Sequence, residues 1–241
     1  MRSGPERVVL RAGSGPALVC LPFAGGSARS FVRLARCAPE GWRVVGVQPP
    51  VRRGAYGMEL EELARFYLGL LAEDLGGPAL VLGHSLGAAV ANRLAALAPG
   101  HLLDDTQFVL SAPPAPGDSS RELLRLDDRA LLAEATRRGI LPRLDVPEDL
   151  AVRLLLPDLR ADLSVLGRQG WKPEPVDAPL HLLGGSEDTA CPPGSLSVLR
   201  DMLAPRSTHV IEGAHLFVVD QPERTMRALC AVGGHAEGSG P

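Results

Sequence analysis

Apolar residues recur along the chain in two spacings. Short apolar runs fall at 7–11, 17–21, 43–47, 79–82, 107–111, 179–183 and 208–211, each of strand length. Between them lie longer segments with apolar positions every three or four residues, at 27–37, 58–75, 86–97, 195–203 and 221–231, the period of a helix with one buried face. This alternation predicts a mainly parallel sheet flanked by helices. One stretch interrupts it. Residues 113–171 carry Leu123, Leu124, Leu131, Leu132, Leu154, Leu155, Leu156, Leu163 and Leu166 at helical spacing, broken by Pro142, Pro147 and Pro157, and contain no convincing strand. They are expected to form a helical insertion, 113–171, in a core made of 1–112 and 172–232, entered through 113–120 and left through 173–179. Placed over the strand ends, such an insertion would be a lid; the alternative is a helical patch packed beside the core. Residues 233–241 are expected to be a disordered tail.

Composition narrows the classes. The chain has 241 residues, enough for one large α/β domain with a full core. A formal net charge of −3 supplies no basic field for nucleic acid. No apolar run approaches the roughly 20 residues that span a bilayer, and the first residues, Met1, Arg2, Ser3, Gly4, Pro5 and Glu6, lack the layout of a signal peptide. The expectation is a cytoplasmic protein with neither nucleic acid nor membrane as partner. Cys20, Cys37, Cys191 and Cys230 are scattered without a C-x-x-C pair and read as reduced thiols, so no metal site is expected.

The chemistry enters at Gly83-His84-Ser85-Leu86-Gly87, a G-x-S-x-G pattern with a predicted strand before it and a predicted helix after it. In that setting the turn is so tight that the positions flanking the serine need glycine, and the serine is presented at the carboxyl edge of the sheet. This context points to the α/β-hydrolase fold, with a mostly parallel central sheet flanked by helices and a helical lid insertion. A serine hydroxyl needs a base, and the fold expects the order Ser, then Asp or Glu, then His. Gly184-Gly185-Ser186-Glu187-Asp188 follows one late strand, and Glu212-Gly213-Ala214-His215 follows the next. Ser85 is therefore read as nucleophile, His215 as base and Asp188 as the acid that orients it, with Glu187 the alternative. Two NH donors are needed for the oxyanion. One is the backbone of Leu86; the other comes from Pro22-Phe23-Ala24-Gly25-Gly26-Ser27, at Ala24 with Phe23 the near alternative. Phe23, Leu131, Leu155 and Leu163 are the candidates for contact with substrate. No metal or organic cofactor is required.

The chain resembles the type II thioesterases, the stand-alone editing enzymes of polyketide and nonribosomal peptide synthesis. The resemblance is carried by Leu21-Pro22-Phe23-Ala24-Gly25-Gly26-Ser27, by Gly83-His84-Ser85-Leu86-Gly87-Ala88, by Leu156-Pro157-Asp158-Leu159-Arg160-Ala161-Asp162-Leu163 and by Gly185-Ser186-Glu187-Asp188, and it spans nearly the whole chain. It implies hydrolysis of acyl groups held on the phosphopantetheine arm of an acyl or peptidyl carrier protein. Carrier proteins are typically acidic, and Arg29, Arg33 and Arg36, Arg52 and Arg53, and Arg137 and Arg138 are candidates for a basic docking surface. A general carboxylesterase, an acyltransferase or cyclase, and a non-catalytic carrier-binding module stand as alternatives.

Overall fold

In a computed structural model the described residues are 6–49, 58–117, 120–142, 145–167 and 170–233. Arg52, Arg53 and the tail from 234 lie outside them. Among the described residues, seven strands form one sheet: β1 (Glu6–Arg11), β2 (Ala17–Leu21), β3 (Arg43–Gln48), β4 (Ala79–His84), β5 (Thr106–Ser111), β6 (Leu180–Gly185) and β7 (Ser207–Ile211). Their order is β1-β3-β2-β4-β5-β6-β7. β1 runs antiparallel to β3, and every other pairing is parallel. The helices are α1 (Val32–Arg36), α2 (Leu60–Leu71), α3 (Leu86–Leu97), α4 (Ser120–Leu124), α5 (Asp128–Arg137), α6 (Glu148–Gly167), α7 (Ser195–Leu203), α8 (Phe217–Asp220) and α9 (Pro222–Val232).

The alternation of side chains along a strand divides the apolar residues between two cores. Val19, Val81, Phe108, Leu110 and Leu182 face α2, α3, α7 and the helices of the insertion. Leu18, Leu80, Leu82, Val109 and Leu183 face α1, α8 and α9. Near-continuous apolar strands are what a parallel sheet covered on both faces demands.

Two expectations need correction. Residues 27–37 do not form one helix: a 3₁₀ turn at Ala28–Phe31 leads into a short α1. Pro157 does not break its helix, since α6 runs through it for 20 residues. The backbone bond that proline cannot make would have gone to the carbonyl of Arg153, four residues back. Both residues are exposed, so the lost bond lies on the solvent side of the helix, where water can take its place. Pro142 and Pro147 fall between α5 and α6 and lie in neither helix.

The sheet topology positions the site. β2 has β3 on one side and β4 on the other, and the crevice beyond the carboxyl ends at such a reversal is where open α/β sheets bind their ligands. Leu21 is level with Gly83, His84 with Ser111 and Gly185 with Ile211. The loops that follow β2, β4, β5, β6 and β7 therefore leave the sheet along one edge.

Candidate active site

Ser85 sits between β4 and α3 with φ 54° and ψ −114°, a conformation non-glycine residues rarely adopt. The crowding that holds it there is measurable. A Cβ at Gly83 would lie 2.1 Å from the Gly87 carbonyl oxygen, and one at Gly87 would lie 2.3 Å from that of Leu21. Both glycines are thus required, the second because α3 and β2 nearly touch. The Ser85 amide donates to the Ser111 carbonyl at 2.8 Å, tying the elbow to β5. Ser85 keeps partial exposure while its neighbours His84 and Leu86 are buried.

Asp188 and His215 meet at the same edge. The loops that carry them are zipped together by the Ser186 amide donating to the Ile211 carbonyl at 2.8 Å and the Glu187 amide to that of Gly213 at 2.9 Å. This places the Glu187 side chain outward, exposed, and turns Asp188 inward. His215 Nδ1 lies 2.8 Å from Asp188 Oδ2. Asp188 Oδ1 accepts the amides of Ala190 and Cys191 at 2.9 and 2.8 Å. A carboxylate only accepts, so Nδ1 carries a proton, and in the neutral imidazole Nε2 then bears the lone pair. That Nε2 is buried and has no hydrogen-bond partner among the described residues. It is an acceptor positioned, in the conformation described, without yet being used.

Asp188, Cys191 and His215 present their ligating atoms within 4.8 Å of one another and are the group that could hold a metal among the described residues. Both oxygens of Asp188 are already engaged by protein donors, and the cluster is organised as an aspartate that orients an imidazole.

Beneath the site, His84 is fully buried. Its Nε2 lies 2.9 Å from the His215 carbonyl and its Nδ1 2.9 Å from Ser111 Oγ. A carbonyl can only accept, so Nε2 donates to it and the Ser111 hydroxyl donates to Nδ1. Burial first, and the neighbouring His215 second, hold the His84 imidazole well below the usual histidine range, which keeps it neutral. Its ring is packed edge-on by Phe23 and Phe217, at centroid distances of 5.7 and 5.1 Å. The residue next to the candidate nucleophile thus supports the backbone of the candidate base. No local pattern in the sequence announces this, because the two lie 131 residues apart.

The remaining candidates divide. Ala24 and Leu86 are buried in one cluster with Leu131 and Leu163, and Leu155 packs against that cluster. The amides of Ala24 and Leu86 make no hydrogen bond among the described residues. Phe23 is not brought together with the leucines of the insertion: it lies in the other core, against His84. The insertion also reaches the candidate base, since a Cβ at Gly139 would lie 3.6 Å from His215 Cβ. Arg29, Arg33 and Arg36 are exposed, whereas Arg137 and Arg138 are both bound to Glu134 of their own helix.

A serine on a strained elbow after one parallel strand and an aspartate-held histidine after another, at one edge of this sheet, define a hydrolase of the α/β-hydrolase fold. The thioesterase domain family matches residues 16–231, and the chain belongs to that family. Thioesterase PikA5 of Streptomyces venezuelae is 30% identical over 213 residues, covering 85% of this chain and 76% of that one. The gramicidin S biosynthesis protein GrsT of Aneurinibacillus migulanus is 27% identical over 226 residues, covering 88% and 87%. Among solved structures, the type II thioesterase BorB of the borrelidin biosynthetic cluster superposes with a TM-score of 0.78 at 25% identity, covering 95% of this chain and 97% of that one. The resemblance to type II thioesterases is borne out, and the chain is a hydrolase acting on thioesters. Among the described residues no helix is long and apolar enough to cross a membrane.

Proposed function

We propose that this thioesterase releases acyl groups from the phosphopantetheine arm of acyl or peptidyl carrier proteins, through Ser85, His215 and Asp188. The observation that carries the reading is the imidazole of His215, held by Asp188 at one nitrogen and buried without a partner at the other. Ser85 Oγ attacks the thioester carbonyl while Nε2 takes its proton; the C–S bond then breaks, and the imidazolium returns the proton to the departing pantetheine thiolate. Water, deprotonated by the same nitrogen, attacks the acyl-serine ester, and the acid leaves with the serine restored. The amides of Ala24 and Leu86 receive the oxyanion in both steps, aided by the positive end of α3.

The acyl chain is assigned to the apolar cluster that joins Ala24 and Leu86 to Leu131 and Leu163, with residues 113–171 as the lid above it. Gramicidin S biosynthesis and the borrelidin cluster, to which two of the relatives belong, support a carrier-bound substrate. Exposed Arg29, Arg33 and Arg36 offer a basic surface to an acidic carrier. Cys20, Cys37, Cys191 and Cys230 stand as thiols, in no disulfide among the described residues, which suits a reducing, cytoplasmic setting.

The test is intact-mass analysis of acyl-loaded carrier proteins incubated with the enzyme, beside the free acyl-pantetheine thioester. The expected result is loss of the acyl mass from the carrier, with water as acceptor and a higher kcat/KM than for the free thioester. Equal rates on both would indicate a general esterase instead. Ser85→Ala should abolish turnover and leave the fold intact; activity within about tenfold of wild type would remove Ser85 from the mechanism.

A further inference from the structure

One contact on the loop after β2 has no part in the mechanism so far. Phe23, Ala24, Gly25 and Gly26 form a tight turn, closed by the Gly26 amide donating to the Phe23 carbonyl at 2.8 Å. Gly25, third in the turn, has φ 77°, the mark of a type II turn. The central peptide of such a turn stands the other way up from that of a type I turn, and glycine permits both. Something outside the turn must therefore choose. Asp162 does so: its Oδ2 accepts the Gly25 amide at 2.7 Å across 137 residues of sequence. Asp162 is buried, 3% exposed, on α6. Leu159, three residues earlier and thus on the same helical face, packs on the same glycine, where an added Cβ would lie 3.8 Å from its own Cβ. The helix of the insertion is thereby seated on the loop by an apolar contact and a hydrogen bond side by side.

We infer that Asp162 is a positioning residue for the oxyanion loop. It fixes the turn that carries the Ala24 amide, so that this donor is in place before the tetrahedral intermediate forms, and it makes the insertion a working part of turnover. The inference rests on the assignment of Ala24 as an oxyanion donor. Without the Asp162 acceptor the peptide between Ala24 and Gly25 is free to flip, and the loop on which the Ala24 amide rides loses its fixed shape. A misplaced oxyanion donor raises the energy of the transition state and leaves the bound ground state nearly unchanged. The deficit therefore belongs in kcat.

The test compares Asp162→Ala, which removes the acceptor, with Asp162→Asn, which keeps an oxygen there. Both are assayed on a small acyl-pantetheine thioester, with folding followed by circular dichroism. Asp162→Ala should lower kcat about tenfold to a hundredfold with KM within about twofold. It should weaken inhibition by a trifluoromethyl ketone, which forms a tetrahedral adduct on the serine, by a similar factor, and Asp162→Asn should recover most of both. A folded Asp162→Ala enzyme with wild-type kcat and inhibitor affinity overturns the inference, as does a loss confined to KM. If Asp162→Ala does not fold, Asp162→Asn carries the test. Its weaker acceptor should speed exchange of the Gly25 amide proton and lower kcat and inhibitor affinity together; faster exchange with both unchanged overturns the inference. An error in the underlying mechanism shows itself separately, as wild-type protein that a fluorophosphonate does not label at Ser85.

Discussion

At Ser85 the backbone stores strain of about 1–3 kcal/mol, because the elbow holds a non-glycine residue at φ 54°. What that strain presents is a hydroxyl, and the side chains around it explain which neighbours matter. Asp188 spends one oxygen on His215 and the other on two amides, while Glu187 points to solvent. Asp188→Asn should therefore lower kcat by up to about four orders of magnitude, since the amide favours the wrong imidazole tautomer. Glu187→Gln should leave it within a fewfold; steady-state kinetics of the two variants decide, and the reverse order would move the acid to Glu187. Ser111 is a subtler case. Its hydroxyl satisfies the buried Nδ1 of His84, so Ser111→Ala leaves that nitrogen without a donor and should cost about 1–3 kcal/mol in urea unfolding. An unchanged midpoint would show that water replaces the hydroxyl.

Among the elements, β2 to β6 were legible because each is a short apolar run buried on both faces for most of its length, and period and length agree on such a run; β1 and β7, at the two ends of the sheet, are only partly buried. The elbow was legible for a different reason: Gly83 and Gly87 are demanded by backbone atoms 2.1 and 2.3 Å from where a Cβ would be, and that demand is written as a local motif. What could not be read depends on partners distant in sequence. Neither the Gly25–Asp162 hydrogen bond nor the support His84 gives to His215 leaves a mark at either end beyond the residue itself. α8 spans four residues, too few to show a period. Pro157 misleads because a proline in sequence signals a break, whereas the broken bond here falls on the solvent side of α6. Pro157→Ala should restore that bond and relieve the ring's clash with the preceding turn. The gain of up to about 3 kcal/mol should raise Tm by several degrees. A fall in Tm would mean that the proline is needed for α6 to pack against α3, α4 and α5.

On the scale of the whole molecule the insertion touches both halves of the chemistry. Leu159 and Asp162 meet the loop after β2 that is proposed to hold the oxyanion, and Gly139 meets His215. Leu131 has no exposed surface and Leu163 very little, so Leu155, half-buried at the margin of the same cluster, is the position where bulk can be added without bursting the core. Leu155→Trp should shift chain-length preference toward shorter acyl groups while sparing a small ester, with each methylene of selectivity worth about 1–3 kcal/mol. Measurement of kcat/KM across a series of acyl-pantetheine thioesters checks this. An unchanged length profile in a folded variant would separate the insertion from the acyl site.

The order of the strands also sets a schedule. The loop after β2 and the elbow after β4 leave the ribosome early, but the imidazole follows β7, and 131 residues lie between His84 and His215. At cellular rates of synthesis that interval is on the order of ten seconds, during which the nascent chain displays a serine and no base. Only when β7 pairs with β6, and the two loops beyond them zip together, does the imidazole gain its aspartate. On the proposed roles of Ser85 and His215, a protein whose work is to cut thioesters would thus lack its base for most of the time it is being made.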